Sequence, residues 1–378
     1  MRTAHGAWTQ REGLLVRLEA EDGNGNGKIV FGECAPIPWF GTETVGEAAA
    51  ACAALGGRVS DAQLDAVSAK YPCLGFAFER LSFSFGVRDF SPAFDSGIYP
   101  AARTKEGGPM NWPVESGTEV PHSIKDARLA APVASLPVAA LLPAGRAALE
   151  KIPALSESGF RAFKWKVGLI DASDELALLD DVLAALPSGA SLRLDANGAW
   201  TRRAAERWLA RCADYPIEFV EQPIAPDAKN SDDLLLGLAG DYPTPLALDE
   251  SVATAAATRR WLRLGWPGVF VTKPSLLGGA TGGAADDAAR VLAELPPERT
   301  VFSSALETAV GARAALRLAF QFYSSAKAGS PRLSPRALGF GAWPLFRDAR
   351  FDGPRAAPFV CLADLENIEP EILWNALN

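Results

Sequence analysis

The stretch Arg161-Ala162-Phe163-Lys164-Trp165-Lys166-Val167 decides the fold. It reads as a strand, and side chains alternate along a strand. Lys164 and Lys166 therefore share one face, and Phe163, Trp165 and Val167 share the other. Two ammonium groups on an inward face are costly unless counter-charges surround them. Carboxylates, a metal or an anionic substrate must stand opposite.

Working outward, strand-like runs recur at 136–142, 161–167, 191–197, 217–223, 245–251, 268–274, 300–307 and 337–343. Helical segments at 145–157, 174–186, 201–213, 231–239, 254–264, 283–295 and 309–322 separate them. Eight strands and seven helices over roughly 210 residues match an α/β fold of the TIM-like barrel kind, (β/α)7β, whose usual size is about 200–250 residues. A doubly wound open sheet is the competitor, but no Gly-rich phosphate fingerprint follows any strand. Before the barrel, strands at 13–19 and 28–34 flank the turn-rich Asp22-Gly23-Asn24-Gly25-Asn26-Gly27. Helices are expected at 45–56 and 75–85. The reading is an N-terminal α+β capping domain over 1–130, a barrel over 131–345 and a C-terminal segment, 346–378, packing back toward the cap. Within the cap, 87–130 reads as a long loop or insertion.

The net charge is -8 and no basic stripe appears, so nucleic acid is not an expected partner. No run approaches the roughly 18 apolar residues a membrane helix needs, so no membrane insertion is expected. Met1 to Gly6 leads into no apolar signal core, and the five scattered cysteines suit reduced thiols. A cytoplasmic location is expected, and nothing in the sequence sets an oligomeric state. The only histidines are His5 and His122. A His-rich zinc site is excluded, and acid–base chemistry falls mostly to lysines, carboxylates and tyrosines.

Functional groups of a barrel gather at the C-terminal strand ends. Those ends carry Lys164 and Lys166, then Asp195, Glu221, Asp249, Lys273, and finally Ser303, Ser304 and Glu307. Three acids on successive strands repel one another unless a cation sits among them. Oxygen ligands without histidine or cysteine favour Mg2+, with Mn2+ as the alternative. Lys166 and Lys273 then face each other across the metal. The set suits proton abstraction beside a carboxylate, so a small-molecule carboxylate is the expected substrate. Alone, each residue has a plainer reading. Lys164 and Lys166 fit an edge strand, Asp195 a turn, and Asp249 and Glu250 helix caps. Arg193 fits a partner that orients barrel carboxylates, and Ser303 and Ser304 fit packing positions.

Taken together, the Lys-x-Lys run, Leu194-Asp195-Ala196-Asn197, Glu221-Gln222-Pro223, Leu248-Asp249-Glu250-Ser251, Thr272-Lys273-Pro274 and Ser303-Ser304-Ala305-Leu306-Glu307-Thr308 resemble the enolase superfamily. A lysine base with Mg2+ on an ene-diolate is that superfamily's own chemistry and is not established by the spacing. The sixth-strand lysine marks the muconate-lactonizing-enzyme-like subgroup, within which the chain is similar to the o-succinylbenzoate synthases. The resemblance implies dehydration of 2-succinyl-6-hydroxy-2,4-cyclohexadiene-1-carboxylate to o-succinylbenzoate, in menaquinone biosynthesis. It makes Lys166 the base and then the acid, Lys273 the opposing cation, and Lys164 the group that tunes Lys166. It makes Asp195, Glu221 and Asp249 the Mg2+ ligands. Ser303, Ser304, Gly339 and Arg193 are expected at the substrate. Asn197, Gln222 and Glu250 are expected just behind the ligands, and a cap loop near 36–42 is expected to close over the pocket. N-succinylamino acid racemization or dipeptide epimerization on the same scaffold is the rival, muconate cycloisomerization a further one. A lysine Schiff-base aldolase leaves the three acids unexplained, and a non-catalytic binding barrel leaves the complete lysine and acid set unexplained.

Overall fold

The computed structural model describes residues 2–3, 6–21, 27–78, 88–94, 133–279, 288–329 and 333–377. An N-terminal ribbon of β1 (Arg2–Thr3) and β2 (Gly6–Ala7) leads into the cap. The cap sheet runs β4–β3–β6–β5, from β3 (Leu14–Glu21), β4 (Gly27–Cys34), β5 (Arg58–Val59) and β6 (Arg88–Phe94). Leu14, Val16 and Leu18 alternate onto one face of β3 and pack with Cys52, Leu64, Leu74 and Phe78. Those partners come from α1 (Val45–Leu55), α2 (Asp61–Lys70) and α3 (Pro72–Phe78). Thr44 with Glu47, and Ser60 with Gln63, form capping boxes that fix where α1 and α2 begin.

Two expectations change here. Residues 88–94, read as the start of a long loop, form β6, which pairs antiparallel with both β3 and β5. Residues 95–130 lie outside the described residues, as do 79–85 of the second expected cap helix. That helix begins earlier, at Pro72, and α2 was not foreseen.

Eight parallel strands follow in chain order: β7 (Ser135–Leu142), β8 (Ala162–Lys166), β9 (Ser191–Asp195), β10 (Ile217–Glu221), β11 (Leu246–Leu248), β12 (Val269–Thr272), β13 (Thr300–Phe302) and β14 (Leu338–Gly341). Each pairs with the next through β13, and β14 pairs with β7. A parallel bridge from Ser303 to Gly339 joins the two ends, closing the sheet into a barrel. Helices α4 (Ala147–Glu157), α5 (Ala172–Ala185), α6 (Arg202–Cys212), α7 (Ser231–Asp241) and α8 (Ala255–Arg263) cover the outside. After the short α9 (Pro274–Leu277) come α10 (Ala288–Glu294) and α11 (Ala309–Gly329). Residues 283–287, expected to begin α10, lie outside the described residues.

Local chemistry explains these elements. Thr201 caps α6 by accepting from Ala204 N. Ala205, Trp208, Leu209 and Cys212 form the buried face of α6, and Trp208 meets Trp165 of β8 edge-on at 6.4 Å. Phe163 and Trp165 are fully buried against the helices. Burial of a Phe-sized side chain contributes about 1.5–3 kcal/mol. Inside the barrel, Phe219, Ala247, Val269, Val271 and Val301 form an apolar plug. They share strand parity with the functional residues at the strand ends, so the site sits on a dry floor.

The cap meets the barrel where α3 crosses α9. A Cβ on Gly279 would lie 2.5 Å from Gly75 O, so this contact needs glycine. The chain end ties to both parts. β15 (Phe359–Cys361) pairs antiparallel with β7, and Leu373 of α12 (Pro370–Leu377) packs with Leu15, Ala309 and Val310. Among the described residues no helix is long and apolar enough to cross a membrane.

Candidate active site

Parallel register places Lys166 beside Asp195, and Asp195 beside Glu221, at the same level of the barrel. Lys166 Nζ donates to Asp195 Oδ2 at 2.6 Å and Asn197 Oδ1 at 2.7 Å. Lys164, one level lower, reaches up to Asp195 Oδ2 at 2.7 Å and Glu221 Oε1 at 2.5 Å. Across the rim, Lys273 donates to Asp249. Its Nζ also lies 4.6 Å from the centroid of the Phe40 ring, a cation–π contact from the cap.

Asn197 and Gln222 bond the segments that carry the acids, whereas Glu250 lines the pocket as a fourth acid and is tied to Asn197. Asn197 Nδ2 donates to Glu250 Oε1 at 3.0 Å, completing a chain from Glu250 to Lys166. Gln222 Oε1 accepts from Asp249 N and Ser251 N, and Gln222 Nε2 donates to Ser251 Oγ at 2.7 Å. Asn197 (φ 44°) and Gln222 (φ 38°) both sit in the left-handed region directly beyond their strands. Such conformations cost free energy and persist where surrounding contacts over-determine them.

Burial opposes ionisation of Asp195, yet the ammonium groups of Lys164 and Lys166 hold its carboxyl well below the usual range. Burial likewise opposes the charge on Lys164, but Asp195, Glu221 and Asp249 hold it above an ordinary lysine. Glu221 is pushed up to about 7, by burial first and then by repulsion from Asp195. Burial also raises Asp249 and Glu250.

Cap and barrel together line one open pocket. Trp8, Ile37, Trp39 and Phe40 form its cap wall. Lys164, Lys166, Asn197, Asp249, Glu250 and Lys273 line the polar side, and Ser303, Ser304, Leu306 and Gly339 line the rest. At this end of the barrel four acidic side chains, Asp195, Glu221, Asp249 and Glu250, meet three lysines, one more acid than amine. Among the described residues, no three acidic, histidine or cysteine side chains are grouped about one point so as to hold a metal ion. Lysines account for that, since Lys164 bonds both Asp195 and Glu221 and Lys273 bonds Asp249. The donor chemistry nonetheless fits a hard divalent cation. All donors are carboxyl oxygens, the acids outnumber the lysines by one, and Glu250 Oε2 is buried without a hydrogen-bond partner among the described residues.

Arg193 requires correction. It does not reach the pocket. Its guanidinium donates to Glu218 at 2.8 and 3.0 Å and to Ala337 O at 2.7 Å, over the Phe219 ring. It ties the barrel floor together one level below the acids. Ser303 and Ser304 line the pocket, but their hydroxyls are already engaged. Ser303 Oγ donates to Gly339 O at 3.3 Å, and Ser304 Oγ donates to Glu307 at 3.0 Å. Gly339 must stay small, because a Cβ there would stand 2.4 Å from Ser303 Oγ.

Sequence reasoning missed Trp8, Phe40 and the part played by Glu307. Aromatic residues in otherwise polar or turn-rich segments were the available signal for the first two. Glu307 is fully buried, accepts from Ala305 N and Ser304 Oγ, and is pushed up to about 7 by burial. In the unfolded chain this carboxyl loses its proton near 4.5. Between those values the folded chain keeps a proton that the unfolded chain has lost, so stability falls as pH rises through the window. Glu33, also raised by burial, acts in the same direction. Unfolding at about pH 5 and about pH 8 is expected to show a smaller loss of stability in Glu307→Gln than in the unmutated chain. Equal losses would remove Glu307 as a source.

Residues 147–319 match the family model described as enolase C-terminal domain-like. The o-succinylbenzoate synthase of Thermosynechococcus vestitus is 37% identical over 322 residues, 84% of each chain. The crystal structure of o-succinylbenzoate synthase from Thermosynechococcus elongatus BP-1, complexed with Mg in the active site, is 33% identical with a TM-score of 0.68. It covers 100% of this chain and 95% of that one. The L-Ala-D/L-Glu epimerase of Bacillus subtilis shares the fold, with a TM-score of 0.65 at 17% identity over 96% of this chain and 91% of that one. By its barrel and its similarity to these enzymes, this chain belongs to the enolase superfamily, in the muconate-lactonizing-enzyme-like branch that includes the o-succinylbenzoate synthases.

Proposed function

We propose that the chain dehydrates 2-succinyl-6-hydroxy-2,4-cyclohexadiene-1-carboxylate to o-succinylbenzoate, a step of menaquinone biosynthesis. The observation that carries this reading is the pairing of Lys166 and Lys273, from the second and sixth barrel strands, in one pocket with the acids between them. The 37% identity to a synthase over most of the chain supports it.

In this reading Lys166, as the free amine, removes the proton alpha to the substrate carboxylate. The resulting ammonium then donates a proton to the hydroxyl leaving from the same face. One C–H and one C–O bond break, water departs, and the ring becomes aromatic. Asp195 and Asn197 hold Lys166 in place for both steps. Lys273, on the other side, stabilises the negative charge that develops on the carboxylate. Asp195, Glu221 and Asp249 would hold Mg2+, which when bound supplies further positive charge beside that carboxylate. Lys164 favours the ionised form of Asp195 and Glu221 and sets the field at Lys166. The apolar plug below and the Trp8, Trp39 and Phe40 wall above keep water from the reacting atoms.

We read 1–130 as the cap, 131–345 as the barrel and 346–378 as a tail touching both. Free cysteines suit a reducing cytoplasm. One observation favours a second activity, racemization of N-succinylamino acids. Lysines on both sides of the pocket could serve both faces of an alpha carbon. Dipeptide epimerization is less well supported, since β14 carries no acid to grip an amino group. The test is an assay of the purified chain with Mg2+ on the cyclohexadiene acid and, separately, on N-succinylamino acids. Conversion of the acid with kcat/KM of about 10⁴ M⁻¹s⁻¹ or more is expected. Racemization without any dehydration would overturn the proposal.

A further inference from the structure

Arg11 sits behind the pocket wall, where the cap loop and the seventh barrel loop meet. Its guanidinium donates to carbonyls of three chain segments. Nη1 reaches Glu12 O at 2.6 Å and Pro36 O at 2.8 Å, and Nη2 reaches Ala35 O at 2.5 Å and Ala305 O at 3.3 Å. Nε reaches Leu306 O at 3.2 Å. Ala35 and Pro36 run directly into the Ile37–Phe40 turn that covers Lys273. Ala305 and Leu306 directly follow Ser303 and Ser304.

Neighbouring contacts reinforce this junction. Glu33 accepts from Thr308 N, Thr308 Oγ1 and Gly311 N, satisfying donors at the start of α11. Leu306 has φ 61°, a strained value for a leucine. Its carbonyl is held by Arg11 and its N–H by Ser304 Oγ at 2.8 Å. A strained residue pinned at both ends, lining the pocket, marks a backbone whose position is fixed from outside.

We propose that Arg11 is a positioning residue. It clamps the Ala35–Phe40 turn and the Ser303–Leu306 loop to each other, so that the aromatic wall and the opposite wall of the pocket are set by one group. A planar guanidinium with five donors suits this, whereas an ammonium is a point charge with three. The proposal rests on reading the pocket as the place where the acid binds.

The test compares Arg11→Lys and Arg11→Met with the unmutated full chain in Mg2+. KM for the acid is expected to rise about tenfold, the size of losing charge-assisted hydrogen bonds. Because Arg11 touches no reacting atom, kcat should stay within about threefold. Hydrogen exchange should quicken together at 35–41 and 303–308 and stay unchanged at Ser191–Asp195. Millimolar guanidinium ion should restore KM in Arg11→Ala. The clamp is overturned by an unchanged KM, by quickening in only one of the two loops, or by quickening spread through the whole chain in both variants. The exchange measurement needs no substrate. Inactivity of the unmutated chain toward the acid would therefore sink the functional proposal, while exchange alone still decides the clamp.

Discussion

Lys166→Ala is expected to lower turnover of the cyclohexadiene acid by about 10⁴-fold, the upper end of what one positioned base contributes. Its Nζ lines the pocket and is aimed by two acceptors, Asp195 Oδ2 and Asn197 Oδ1. No other side chain can replace it on that side. Lys164 is committed to Asp195 and Glu221 from one level below. The variant should fold, because its former partners keep others. Asp195 still has Lys164 at 2.7 Å, and Asn197 still has Glu250 at 3.0 Å. Steady-state rates, read beside an unfolding curve, separate loss of chemistry from loss of structure. Near-normal turnover would refute the base assignment.

The barrel was legible because each strand is a short apolar run ending in a polar word, and the helices between carry one apolar stripe. Parity gave the face of Lys164 and Lys166, and the ends of successive strands gave Asp195, Glu221, Asp249 and Lys273. Parity gives a face but not a depth, and that is why Arg193 was misplaced. A strand advances about 3.3 Å per residue, so Arg193 lies roughly 6.6 Å below Asp195. At that depth its neighbours are Glu218 and Phe219. The strand β6 was hidden because Arg88-Asp89-Phe90-Ser91-Pro92-Ala93-Phe94 carries charges and a proline. Its partner β3 lies some seventy residues earlier in the chain, where no local pattern can report the pairing. The Phe40 contact with Lys273 and the Arg11 clamp depend on how the cap docks, and periodicity within either part carries no record of that.

The ion-pair web explains why a metal preference could be read from composition while its ligand geometry could not. The sequence shows three acids on successive strands, and repulsion among them calls for a cation. It does not show that Lys164 is long enough to serve as that cation itself. In the structure Lys164 joins Asp195 to Glu221, and Lys273 joins Asp249. The lysines therefore already occupy the acids' oxygens, and metal uptake must rearrange lysine contacts as well as fill a space.

Glu221→Gln tests that balance, and is expected to weaken Mg2+ binding about a hundredfold or more, beyond what changes behind a ligand usually cost. Glutamine keeps the shape of the side chain and can still accept from Lys164, so Lys164 retains both partners and the barrel should remain folded. What changes is charge. Asp195, Glu221, Asp249 and Glu250 meet Lys164, Lys166 and Lys273 above the dry floor of the barrel, one acid more than the lysines. Replacing Glu221 removes the extra acid, and with it a charge that a divalent cation would attract strongly in a medium where charge is poorly screened. Calorimetric titration of Mg2+ into both proteins measures the difference without relying on activity. Equal affinities would show that Glu221 is not a ligand, and the three acids would then have to be explained by the lysines alone.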